Sequence, residues 1–356
     1  MRRTPLVLLA LALALMLVPA AHAAAPDDTY WALQWGPQQI KADAAWATST
    51  GAGQTIAIVD SGVDLDHPDL ASKIVGGATF AGCATQPGGC GNGDWQSGGP
   101  GVGAGDPHGT HVAGIAAAVT GNATGVAGVA RDANLLAVKV LGEEGGSFEE
   151  IAAGVRWAAD SGANVINLSL GALPGVQALV ITGLITDLDE AIAYANSKNV
   201  VVVAAAGNDF ASICGTPSSE SGALCVAATD RNENRASYSN FAIKRDLDTV
   251  SAPGGAALLA CQDDIISTFP IRPAAERGFC ETSENTPGYD FLAGTSMATP
   301  HVAGAAALLT AQGRGQQEVR DVLKATARTP ITNTRGTYTP TYGFGIVDAA
   351  AAVAAP

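Results

Sequence analysis

The stretch Thr55-Ile56-Ala57-Ile58-Val59-Asp60-Ser61-Gly62 decides the fold. Its first five residues form a short, near-continuous apolar run, and an Asp-Ser-Gly turn closes it. A strand apolar on both faces is buried on both faces, as in a parallel sheet covered by helices. Outward from it, similar runs recur at Leu135 to Val140, Val165 to Leu170 and Val200 to Ala205. Between these lie Val112 to Val119, Phe148 to Ala159, Leu188 to Asn196 and Val302 to Thr310, with the length and small-residue content of packed helices. The alternation predicts βαβ units, hence an α/β fold with a mostly parallel central sheet. In such sheets chemistry gathers at the carboxyl ends of the strands.

Asp60 stands at such an end, although a lone Asp there is also an ordinary turn former. Further on, His108-Gly109-Thr110-His111-Val112-Ala113-Gly114 opens a helix. A zinc pair would prefer i, i+4 spacing with a nearby carboxylate, so His111 reads as a packed structural histidine and His108 as the functional one. Near the far end, Gly294-Thr295-Ser296-Met297-Ala298-Thr299-Pro300-His301 leads into an apolar helix. Ser296 therefore lies at a helix N-terminus, where free N–H groups and the dipole favour developing negative charge. Pro300 is expected in the first helical turn, which has no N–H to lose.

A serine hydroxyl needs a base to become a nucleophile, and the imidazole that serves needs a carboxylate to fix its tautomer. Asp60, His108 and Ser296 supply these parts. The oxyanion of a tetrahedral intermediate needs donors, and Asn208, following Ala204-Ala205-Ala206-Gly207, offers its amide beside the Ser296 N–H.

Together these segments resemble the subtilisin family of serine peptidases, closest in character to its thermitase-like branch. The order Asp, His, Ser is that of the family, and the resemblance runs from Asp28 to Gly343-Phe344-Gly345-Ile346-Val347-Asp348. It implies a three-layer subtilisin-like fold with helices on both faces of the sheet, spanning 24–356 as one peptidase domain. It further implies a serine endopeptidase of broad specificity that prefers apolar side chains. The pocket would be lined by Ser169-Leu170-Gly171 and Ala205-Ala206-Gly207, with Gly215 near its base. Phe148 would face the groove or, equally, the core. Relatives also bind structural calcium, which maps onto Asp28, Asp69, the Asn122 side chain and the carbonyls of Val119, Thr124 and Val126; hard oxygen donors suit that ion. Two departures stand out. Asp27-Asp28 begins the mature-like sequence with no room for a folding-assisting propeptide, and Leu173 to Leu188 exceeds the corresponding family segment.

The first residues join Arg2 and Arg3 to an apolar run from Leu6 to Val18 and then Ala21-His22-Ala23. This is a secretory signal peptide over 1–23, too short in its apolar run for a membrane anchor. Secretion to the medium or the periplasm follows, with no membrane partner after cleavage. Lys and Arg number 19 against 33 Asp and Glu, a balance that argues against nucleic-acid partners. A monomer acting on polypeptides is expected, with no catalytic cofactor. All six cysteines lie beyond the signal. Export permits disulfides, and neighbour pairing gives Cys83–Cys90, Cys214–Cys225 and Cys261–Cys280, each bracketing a turn-rich loop. A Gly-rich surface loop occupies 81–106. An esterase using the same serine is the runner-up among enzymes, and a lipase-type fold is disfavoured by the absence of GxSxG around Ser296. A catalytically silent peptide-binding module is disfavoured because no member of the triad is missing.

Overall fold

The computed structural model describes residues 25–82, 106–171, 186–271 and 288–356, apart from Glu143, Asp246, Leu258, Leu259 and Ile331. The expected signal peptide, Cys83, Cys90, Cys280, nearly all of the Gly-rich loop and most of Leu173 to Leu188 lie outside the described residues. Strands β1 (Thr55–Asp60), β2 (Ile74–Thr79), β3 (Asn134–Lys139), β4 (Val165–Leu168), β5 (Val201–Ala205), β6 (Ala223–Thr229) and β7 (Thr249–Pro253) form one sheet. Its order is β2-β3-β1-β4-β5-β6-β7, and every pairing in it is parallel. An antiparallel ribbon of β8 (Ile265–Thr268) and β9 (Tyr289–Leu292) lies apart.

The helices are α1 (Trp35–Gln39), α2 (Ala42–Ala45), α3 (His108–Ala117), α4 (Phe148–Asp160), α5 (Asp187–Ser197), α6 (Thr295–Thr310), α7 (Gln316–Thr326) and α8 (Ala349–Ala354). Alternation along β1 shows why its run had to be continuous. Ile56 and Ile58 pack into the core shared with α3 and α6, whereas Ala57 and Val59 pack on the other face against α4 and α5. An Ile or Val fully withdrawn from water contributes roughly 1.5–3 kcal/mol, so both faces stabilise the sheet. The three-layer α/β arrangement is therefore the expected one.

Helix α6 is apolar all round, and all its residues except Ser296 and Thr310 are buried. A helix of that kind belongs inside. It begins at Thr295, seven residues before the expected Val302, because Thr, Ser and Ala in its first turns carry no apolar signal. Pro300 is consequently the sixth helical residue and not part of the first turn. Strand β4 ends at Leu168, so Ser169 and Leu170 belong to the turn beyond it. Cys214 and Cys225 are bridged as expected.

Candidate active site

Because β1 lies between β3 and β4, the ends of β1, β4 and β5 open side by side, and each expected catalytic residue belongs to one of these ends or to a helix facing them. Asp60 closes β1 and is fully buried. Its Oδ1 accepts the Ser61 N–H at 2.7 Å and meets Nδ1 of His108 at 2.8 Å. Its Oδ2 has no partner among the described residues.

His108 opens α3, and its side chain is 29% exposed, enough to reach substrate. The helix approaches the turn after β1 so closely that a Cβ on Gly109 would stand 2.1 Å from the Gly62 carbonyl oxygen. Only glycine permits that approach. Ser61 and Asp106 complete the junction: the Gly109 N–H donates to Ser61 Oγ at 3.0 Å, and the His108 N–H to Asp106 Oδ1 at 2.8 Å. Burial opposes protonation of His108, but the charge and hydrogen bond of Asp60, aided by Asp106, outweigh it and hold the imidazole above its ordinary value. His111 is fully buried instead. Its Nε2 lies 3.0 Å from the Ile265 carbonyl and 3.2 Å from that of Asp290. Burial, first of all, and the neighbouring His108 lower its pKa to about 3, so it stays neutral and pins α3 to the β8–β9 ribbon.

Ser296 is the second residue of α6, so its N–H has no intrahelical acceptor. Its hydroxyl donates to the Ser169 carbonyl oxygen at 3.2 Å. Asn208 follows β5 and is exposed. Its Oδ1 accepts both the N–H and the hydroxyl of Thr295 at 3.0 Å, so the side-chain NH2 is the group it has left to donate. Buried Asn240 shapes that loop. Its Oδ1 accepts the N–H groups of Asp209 (2.9 Å) and Ala211 (2.8 Å), and its Nδ2 donates to the Ala206 carbonyl at 3.0 Å. Gly207, at φ 104°, adopts a left-handed conformation there. Sequence reasoning gave no role to Asn240 or Asn167 and quoted Ser61 and Thr295 only as parts of the turn after β1 and of the run around Ser296; the one signal was Asn167, a polar residue inside the apolar run of β4.

The expected pocket segments also come together. Leu168 pairs with Ala204, so Ser169-Leu170-Gly171 and Ala205-Ala206-Gly207 leave the sheet as neighbours. The Gly215 N–H donates to the Ala206 carbonyl at 2.8 Å. Phe148 is half-buried against the α4 side of the core, which favours the packing alternative for it. The N-cap of α4 is Ser147, in a capping box with Glu150.

Away from this edge, the six expected calcium ligands gather around residues 119–126. Asp28 is buried and accepts the Gly121 N–H through both oxygens, at 3.1 and 2.9 Å. Asp69 is fully buried and accepts from Asn122 Nδ2 (2.7 Å) and the Val126 N–H (2.9 Å). The Asn122 Oδ1 accepts the Thr124 N–H at 2.9 Å, and the Val119 N–H donates to the Asp69 carbonyl at 2.9 Å. Burial, reinforced by Asp28, pushes the Asp69 carboxyl up to about 6 against the pull of its hydrogen bonds. Two buried carboxylates, an amide and carbonyls are a hard-oxygen donor set, which fits a calcium ion.

Comparison with known proteins places these observations in context. The family model described as Subtilase family matches residues 51–345. Thermitase of Thermoactinomyces vulgaris is 42% identical over 304 residues, covering 85% of this chain and 91% of its own. Subtilisin BL of Lederbergia lenta is 39% identical over 322 residues, 89% of this chain and 97% of its own. Among solved structures, a protease from Pseudoalteromonas arctica superimposes with a TM-score of 0.76 at 34% identity, covering 93% of this chain and 99% of that one. A lanthipeptide protease gives a TM-score of 0.71 at 26% identity, covering 90% and 93%.

Proposed function

The chain belongs to the subtilase family and is a serine endopeptidase of the subtilisin type, and from that premise we propose that Asp60, His108 and Ser296 are its catalytic triad. The observation that carries this is the 2.8 Å contact between the His108 imidazole and the buried Asp60 carboxylate, at the sheet edge onto which α6 brings Ser296. Asp60 holds Nδ1 protonated, so Nε2 is left as the base. The Ser296 hydroxyl exchanges the Ser169 carbonyl for that Nε2, gives up its proton and attacks the scissile carbonyl carbon. The oxyanion is met by the Asn208 amide and the Ser296 N–H. His108 then protonates the leaving amine, and water repeats the sequence on the acyl-enzyme.

Polypeptide substrates would lie along the segments beyond β4 and β5 as an added strand, so that main-chain bonding gives broad specificity. Apolar side chains are preferred, in keeping with Leu170, Ala205 and Ala206 lining the pocket. The signal-like start supports secretion, and no helix among the described residues is long and apolar enough to cross a membrane. Asp28, Asp69, Asn122 and the carbonyls of Val119, Thr124 and Val126 would hold a structural calcium, which supplies positive charge to the buried carboxylates and no chemistry to the reaction.

A serine-directed phosphonylating probe tests the assignment, with mass-spectrometric mapping of the adduct. The expected result is a stoichiometric adduct on Ser296 that is lost in His108→Ala. Folded wild-type protein that takes up no probe would overturn it.

A further inference from the structure

Pro300 interrupts the hydrogen bonding of α6 at a consequential place. A residue at that position would ordinarily donate its N–H to the carbonyl four residues earlier, which is that of Ser296, and proline has none to give. The hydroxyl of Ser169 takes the position instead and donates to the Ser296 carbonyl at 2.7 Å. Ser169 is 2% exposed and Asn167 fully buried, and Asn167 Nδ2 donates to Ser169 Oγ at 2.9 Å. That bond uses an Oγ lone pair and turns the hydroxyl proton toward Ser296. The Ser169 carbonyl meanwhile accepts the Ser296 hydroxyl. On the other side, Thr295 is tied to Asn208.

We propose that the Ser169 hydroxyl, oriented by Asn167, is a positioning residue for the nucleophile that replaces the N–H missing at Pro300. This rests on Ser296 being the nucleophile. Ser296 is then pinned at both flanking peptides, by the Thr299 hydroxyl on the Thr295 carbonyl before it (2.8 Å) and by Ser169 on its own carbonyl after it, which fixes its φ and ψ and thereby aims both Oγ and N–H. A helical N–H would have tied Ser296 only to its own helix. Ser169 ties it to the end of β4, so nucleophile and pocket wall move as one body. The role belongs to the Ser169 side chain and is separate from the substrate contacts expected of its backbone.

A double-mutant cycle of Ser169→Ala and Pro300→Ala decides the matter. In the proline background, Ser169→Ala is expected to lower kcat and the rate of Ser296 phosphonylation by roughly 10- to 100-fold, with KM nearly unchanged, as for small misplacements of a reacting group. In Pro300→Ala the restored N–H can bond the Ser296 carbonyl, and the same substitution is expected to cost several-fold less. Asn167→Ala keeps the hydroxyl but not its orientation, and should show a smaller loss with the same dependence on Pro300; it serves if Ser169→Ala does not fold. Equal losses in both backgrounds, or an unchanged kcat in folded Ser169→Ala, would overturn the positioning role. Ser296→Ala separates the two levels: activity surviving there overturns the nucleophile assignment and this role with it, whereas activity lost there but undiminished in Ser169→Ala overturns this role alone.

Discussion

Asp60 and Asp69 are both fully buried, yet the chain completes their surroundings differently. Asp60 faces an imidazole able to carry positive charge. Asp69 faces neutral groups, the amide of Asn122, the Val126 N–H and the Tyr289 hydroxyl, with Asp28 near enough to raise its pKa further. A buried carboxylate is costly without a cation or dense hydrogen bonding. The first site carries its countercharge on the chain, and the second has none there, which is why a calcium ion is proposed for it.

The largest way to break this contrast is Asp60→Asn. It removes the charge but keeps the shape, and it favours the wrong imidazole tautomer. We expect kcat to fall about 10⁴-fold, a scale set by other serine peptidases including subtilisin, in a protein that remains folded by near-ultraviolet circular dichroism. A loss below tenfold would mean that Asp60 does not orient the base. Chelation sharpens the other half. At about 100-fold excess over its Kd, a bound ion adds ~2.7 kcal/mol, so chelator should lower Tm by roughly 4 °C for a domain of this size. Asp69→Asn should abolish that response, and a midpoint indifferent to chelator in the wild type would refute the calcium site.

The smallest effect is in the pH profile. His108 must be neutral to accept a proton, and its pKa is raised, so kcat/KM should fall on acidification through a value above the ordinary imidazole range. The sign for stability is opposite. A raised folded pKa stabilises the protein below the unfolded value, and that gain is lost as pH rises through the folded one. Residual kcat/KM of Asp60→Asn should show its acid limb at lower pH than the wild type, and a limb that does not move would uncouple the two residues.

Much of this architecture was legible because it depends on near neighbours in sequence. The strands β1, β3, β4 and β5 and the helices α4 and α5 appeared as apolar runs with boundaries displaced by no more than two residues. The start of α6 was missed because hydropathy does not register Thr295 and Ser296, although α6 buries Thr295 fully. Strand β2 hid behind Gly76-Gly77 in the same way. The candidate triad could be named because a strand end and two helix starts have local signatures. Its supports could not: Asn240 and Thr295 act through hydrogen bonds between distant segments, Asn167 through a local bond that only Ser169's role makes meaningful, and no periodicity encodes a bond from Thr295 to Asn208. The consequence of Pro300 is the acceptor it leaves open in Ser296, and the donor that fills it is Ser169, just beyond β4.

The position of β1 in the middle of the sheet has a temporal meaning as well. Asp60 is made early during synthesis, but Ser296 arrives on α6, whose burial requires the sheet to exist already. A nascent or truncated chain that stops short of residue 295 can present the carboxylate and the imidazole but has no nucleophile to arm. On the proposed triad, a polypeptide that cuts polypeptides would acquire its nucleophile only when nearly all of it has been made.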